Sequence, residues 1–170
     1  MTNSNVLYKE VQHFRNIVVW IIVGCIAIFM LYSGIEQLIF GNVVGSRPAP
    51  DGVMAVFVAV FGIIFPIAMI SVNLKTEVKE DGLYISYFPF IPRKRKIPPE
   101  MIASAEPKHY NALRDYGGWG LRYGIGGKAY NISGNEGVMI RLVDGEHFLL
   151  GTKNSERLAE TINNAVNNSV

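Results

Sequence analysis

One cysteine, Cys25, stands in 170 residues, so no disulfide framework can form. The three histidines, His13, His109 and His147, are scattered, and neither histidine beyond residue 75 has a metal-ligand spacing, so no metal site is expected. No serine sits in a nucleophile-elbow context, and Cys25 falls in the most apolar stretch, away from any aqueous substrate. An enzyme is not expected, and nothing asks for a cofactor. Charge is scarce in the first part of the chain. Of residues 1–74 only Lys9, Glu10, Arg15, Glu36, Arg47 and Asp51 are charged, while residues 75–170 hold the other twenty-four charged residues. That segregation excludes one uniform soluble domain and a disordered chain. A broad basic field is also missing: residues 75–170 carry thirteen Lys and Arg against eleven Asp and Glu, which speaks against a nucleic-acid partner.

What is present first is apolar length. Ile17 to Ile35 is nineteen residues without a charge, and Val53 to Val72 is twenty, broken only by Gly62, Pro66 and Ser71. At about 1.5 Å per residue each can cross a bilayer core of about 30 Å, and helices are the form that pairs every backbone group internally. The joining segment Gly41 to Gly52, rich in Gly, Pro and Asp, predicts a tight loop and an antiparallel hairpin. Ala55 and Ala59 on one helix, Gly24 and Ala27 on the other, offer thin faces for packing. Pro66 is expected to kink the second helix near Gly62. Glu36, a few residues from the loop, is expected at the headgroup level. Lys9 and Arg15 before the first span, and Lys75, Lys79 and Arg93 to Lys96 after the second, outnumber Arg47 in the loop. The bias predicts cytoplasmic termini and an outside loop.

From Lys75 the period changes. Thr76 to Lys79, Leu83 to Phe88, Arg93 to Ile97, Ile102 to Tyr110, Leu121 to Tyr123, Ala129 to Ile132, Val138 to Val143 and Glu146 to Leu150 read as short extended segments. Asp81-Gly82, Gly126-Gly127 and Asp144-Gly145 are turns between them, and Asn111 to Gly120 reads as a long connection. Asn154 or Ser155 caps a closing helix with Leu158, Ile162, Ala165 and Val166 on one stripe. The expected fold class is a two-span α-helical transmembrane hairpin plus a small antiparallel β domain, about seven strands in a meander, with a C-terminal helix. Its order of elements resembles a pleckstrin-homology-like (PH-like) fold, and an open sheet or sandwich with a terminal helix stays open. The segments divide as 1–15, an amino-terminal cytoplasmic segment; 16–40, the first transmembrane helix; 41–52, an extracytoplasmic loop; 53–74, the second transmembrane helix; and 75–170, a cytoplasmic PH-like domain.

Tyr8-Lys9-Glu10-Val11-Gln12-His13-Phe14-Arg15, the loop Pro48-Ala49-Pro50-Asp51, Asp81-Gly82-Leu83-Tyr84, Phe88-Pro89-Phe90, Tyr116 to Arg122 and Ala129 to Val138 carry a resemblance over nearly the whole chain. The chain resembles an uncharacterised family of small prokaryotic membrane proteins with two spans followed by a PH-like domain. The resemblance implies fold and location, and no activity.

Two constellations stand out. Eight of the seventeen glycines fall between Gly117 and Gly137, but neither a P-loop nor a G-x-G-x-x-G register is present, so sharp turns and close strand approach are expected. Trp119, Arg122 and Tyr130 in that region form either a partner-binding edge or a core contact with a satisfied cation–π pair. Arg93, Lys94, Arg95 and Lys96 are either a contact for anionic headgroups, with Phe88 and Phe90 as interfacial anchors, or a solvated edge strand. The sequence predicts a non-enzymatic integral protein of the cell membrane presenting an interaction or scaffolding domain to a protein partner at the cytoplasmic face. The alternatives are an anionic-lipid-sensing surface module and an accessory subunit of a transporter or membrane enzyme.

Overall fold

The computed structural model describes residues 5–124 and 127–168. The chain divides into two compact units, Arg15–Ser71 and the described parts of Met1–Phe14 with Val72–Val170. In chain order the elements are β1 (Val6–His13), α1 (Ile17–Ile39), α2 (Asp51–Ser71), β2 (Asn73–Lys79), β3 (Gly82–Phe88), β4 (Ile91–Ile97), β5 (Ile102–His109), α3 (Ala112–Tyr116), β6 (Gly120–Gly124), β7 (Gly127–Asn131), β8 (Glu136–Leu142), β9 (His147–Gly151) and α4 (Ser155–Asn167).

In the helical unit, the Asn16 carboxamide oxygen accepts from the Val18 and Val19 N–H groups at 3.1 and 3.3 Å and starts α1. Both helices are long and apolar enough to cross a membrane. Little of either helix is buried, so neither is a core helix within this structure. Pro66 has no N–H for the Gly62 carbonyl, and the turns just before it, Val58–Ile64, widen to π spacing; the Phe65 N–H reaches back to the Val60 carbonyl. The helices approach at Gly34 and Gly62: a Cβ on Gly34 would strike the Val58 side chain, and one on Gly62 would sit 3.3 Å from Leu31. The expected thin faces are thus corrected, since Gly24 faces open space and Ala55 and Ala59 are exposed. Gln37, buried, donates to the Ala49 carbonyl at 2.7 Å and to Asp51 Oδ1 at 2.9 Å, tying the end of α1 to the start of α2. Glu36 accepts from Asn42 Nδ2 at 2.8 Å.

The other unit has nine strands among the described residues, in two sheets ordered β1-β2-β3-β4 and β5-β8-β9-β7-β6. Three expectations are corrected. The segment before the first helix is not merely a flank: β1 pairs antiparallel with β2 from Val6↔Lys79 to His13↔Asn73, so the helical hairpin is inserted between two adjacent strands. The second helix accordingly stops at Ser71 rather than 74, where Leu74, Thr76 and Val78 begin the inward alternation of β2. The domain is also not wholly antiparallel, because β7 and β9 run parallel. Phe148, Leu149 and Leu150 are 3%, 0% and 0% exposed; a run apolar on both faces belongs in the interior of a sheet, and β9 therefore enters between β8 and β7. The long connection expected over Asn111 to Gly120 contains α3, capped by the Asn111 side chain. Gly126 of the expected β6–β7 turn lies outside the described residues.

The two sheets share one core, built from Leu74, Val78, Leu83, Ile85 and Tyr87 on one side and Tyr130, Ile132, Val138, Ile140 and Leu150 on the other. α4 covers it with Leu158, Ala159, Ile162 and Ala165 and is held to β5 by a two-way bond: Ala105 N–H to Asn163 Oδ1, 3.1 Å, and Asn163 Nδ2 to the Ala105 carbonyl, 2.9 Å. Asn154 caps α4. A second, smaller cluster of Tyr110, Ala112, Tyr116, Ala129, Met139 and Leu149 lies under α3. The Asp81-Gly82 turn needs its glycine: φ is +143° and a Cβ would lie 2.6 Å from the Ile97 carbonyl oxygen.

Candidate functional site

β1 turns an unusual inner face to the domain. Tyr8, Glu10 and Gln12 point inward, and they meet the end of β9. Glu10 accepts from Tyr8 Oη at 2.7 Å, from Thr152 Oγ1, and from the Lys153 N–H at 3.0 Å. Gln12 Nε2 donates to the Gly151 carbonyl at 2.8 Å. Burial pushes the Tyr8 hydroxyl up to about 12, with the Glu10 carboxylate adding to the effect. This latch fixes the strand that leads into α1.

The basic run lies on β4, where alternation splits it. Lys94 and Lys96 turn to the outer face of the first sheet, while Arg95 turns the other way and donates from Nη1 to Tyr130 Oη at 3.1 Å. Arg93 is exposed and makes no ion pair or hydrogen bond to a described residue. On the outer face the cross-strand rows bring Lys94 and Lys96 beside Lys9 of β1 and Lys75 and Lys79 of β2. Glu77 sits in their midst, bonded to Lys94 and 3.6 Å from Lys9, and its hydrogen bond from Lys94 holds its carboxyl below the usual range. Lys96 pairs with Asp81 at 2.7 Å, and Lys79 and Lys96 lie 5.2 and 5.7 Å from the Tyr84 ring centre. Five lysines thus surround one carboxylate on the strands of this face. Of the five, only Lys94 and Lys96 belong to the basic run expected as a lipid contact; Lys9, Lys75 and Lys79 join them through strand pairing.

Arg95 opens onto a groove of about 600 Å³ lined by Tyr123, Lys128, Asp144, Glu146 and His147. Lys128 Nζ lies 5.0 Å from the Tyr130 ring centre and 5.4 Å from that of Tyr123. Among the described residues, neither Arg95 nor Lys128 is paired with a carboxylate. Asp144 and Glu146 line the same groove, so it carries both signs of charge. β6, which contributes Tyr123 and Gly124, is the end strand of its sheet.

Trp119, Arg122 and Tyr130 do not form one edge. Tyr130 is 0% exposed, its ring packed against Phe148 in the core, so it offers no side-chain surface to a partner. Trp119 packs partly buried on the smaller cluster and donates from Nε1 to the Gly134 carbonyl at 3.1 Å. Arg122 is exposed and donates from Nε to the Trp119 carbonyl at 3.1 Å. The glycines of this region make turns and close contacts: a Cβ on Gly124 would lie 2.5 Å from the Asp115 carbonyl oxygen of α3.

No curated protein and no solved structure matches the chain. Residues 1–169 match a family model described as a family of unknown function, DUF6141. The two apolar helices, the mixed sheets and the closing helix are therefore features of a member of that family, to which this chain belongs.

Proposed function

We propose that the chain is a non-enzymatic integral protein of the cell membrane. Its helices cross as an antiparallel hairpin, both termini are cytoplasmic, and a PH-like domain presents a binding groove to a protein partner. The β4 turn-over of Arg95 toward Tyr130 carries the reading. It leaves Arg95 and Lys128 without a carboxylate partner in a groove that also holds Asp144 and Glu146. A groove of mixed charge suits a peptide segment bearing both signs, and β6, as an end strand, has backbone groups to which an extended segment can add. PH-like folds serve several kinds of ligand, so the groove and not the fold argues for a protein.

The test is a crosslinking pull-down from native membranes with the intact protein, beside the double variant Arg95→Ala/Lys128→Ala and a control variant Lys108→Ala. The expected result is a prey captured by the first and third and lost by the second. Preys indifferent to the double substitution would count against the groove.

A further inference from the structure

We infer that the outer face of the first sheet is a docking surface for an anionic lipid bilayer, with the β3–β4 turn as its apolar edge. The inference rests on the reading of α1 and α2 as spans. Five lysines, Lys9, Lys75, Lys79, Lys94 and Lys96, share this face; its strand carboxylate is Glu77, and Glu80 and Asp81 sit in the turn at one end. At the opposite end, His13, Asn73 and Phe88 form one cross-strand row. Phe88 and Phe90 are 43% and 65% exposed there.

Chain connectivity fixes which end meets the lipid. α2 ends at Ser71 and β2 begins at Asn73, so Val72 alone separates helix from strand. Two residues reach at most about 7 Å, and the neighbouring strand is about 5 Å further, which keeps Phe88 within about 12 Å of the last helical residue whatever the angle of the joint. A span that ends at the hydrocarbon boundary therefore keeps Phe88 within about 12 Å of it and Phe90, two residues further on, within about 19 Å, so theirs is the end of the sheet nearer the headgroups, where aromatic side chains are favoured. The acidic turn is at the far end and the lysines lie between. A negative surface draws each lysine that reaches it by about fivefold in the docking equilibrium. The predicted lipid contact thus moves from the linear run to the cross-strand face, and Arg93 and Arg95 drop out of it.

The experiment uses the full chain in nanodiscs of phosphatidylcholine, with and without a quarter of phosphatidylserine. Lysine acetylation rates are read residue by residue by mass spectrometry. Lys9, Lys75, Lys79 and Lys94 are expected to slow several-fold in the anionic discs, while Lys108 and Lys153 change little. A second readout places an environment-sensitive fluorophore at Phe90→Cys, Glu80→Cys or Ile28→Cys in a Cys25→Ala background, with spin-labelled lipids as quenchers. Strong quenching at 28, clear quenching at 90 and none at 80 is the expected order. Quenching at 28 with 90 no better than 80, or equal slowing of all lysines, overturns the docking surface. Absence of quenching at 28 would instead overturn the spans.

Discussion

Removing the Glu10 carboxylate tests the latch that fixes β1. In Glu10→Ala the Tyr8 hydroxyl, the Thr152 hydroxyl and the Lys153 N–H lose a common charged acceptor. Tyr8 and Thr152 keep each other, since their oxygens are 3.2 Å apart, and the Lys153 N–H is exposed enough to take water. A hydrogen bond to a charged group contributes about 1.5–3 kcal/mol, so after this partial compensation the net loss is about 2–3 kcal/mol. For a domain of this size that lowers Tm by roughly 10–20 °C. The assay is urea unfolding of the full chain in detergent, followed by Trp119 emission, with Trp20 of the apolar helix as a constant background. Glu10→Gln, which keeps an acceptor but not the charge, falls between wild type and alanine. Combined with Thr152→Val, Glu10→Ala gives a coupling energy of about 1–2 kcal/mol, as expected of neighbours in one network. A Glu10→Ala loss under about 0.5 kcal/mol, or additivity with Thr152→Val, would refute the latch and leave β1 held by its ladder alone.

The Glu77 carboxyl is held below its ordinary value by the Lys94 hydrogen bond, and Lys9 adds to that. Its contribution to stability is therefore full above the unfolded value of about 4.3 and is lost as pH falls through the lower folded value. Urea midpoints of wild type should drop relative to Glu77→Gln between about pH 5 and pH 3, and parallel pH profiles would contradict this. Gly82→Ala is expected to cost about 2–4 kcal/mol in the same assay, because its φ of +143° and the Ile97 oxygen 2.6 Å from a Cβ both resist a side chain.

The two long apolar helices, β3, β8 and α4 were legible because their apolar residues run unbroken or keep one period and their ends carry turn or cap residues. β1 was not, because its inward positions are Tyr8, Glu10 and Gln12 while Val6, Leu7 and Val11 are exposed; the alternation reads inside out. Its inner face is polar at Glu10 and Gln12 because these meet the Gly151–Lys153 backbone, while Tyr8 packs on the apolar core. The parallel placement of β9 depends on a pairing across residues 128 to 150, which no local period records. The candidate surfaces divide in the same way. Arg93 to Lys96 were visible as a run, yet alternation assigns them to two different places, and the face that Lys94 and Lys96 join draws Lys9 from 85 residues earlier. The groove was invisible for that reason too: Arg95 and Lys128 meet only through Tyr130.

The insertion of the helical hairpin between paired strands makes a strong prediction about independence. His13 faces Asn73 in the ladder, so Phe14 and Val72 are the flanking positions of what would otherwise be a two-residue β-turn. Replacing residues 15–71 by Asn-Gly restores that turn without changing the register of β1 on β2. Everything that holds β1 is retained: the ladder to β2, the Glu10 latch and the Gln12 bond to Gly151. What is lost is the largest run of exposed apolar side chains in the chain, from Ile17 to Ile70. The excised protein should be soluble without detergent, elute as a single species and melt cooperatively, with β1 amides as protected from hydrogen exchange as those of β2. Free exchange of β1 alone would mean that the hairpin, not the domain, holds the strand in place. Aggregation on excision would mean that the β unit does not close its own core.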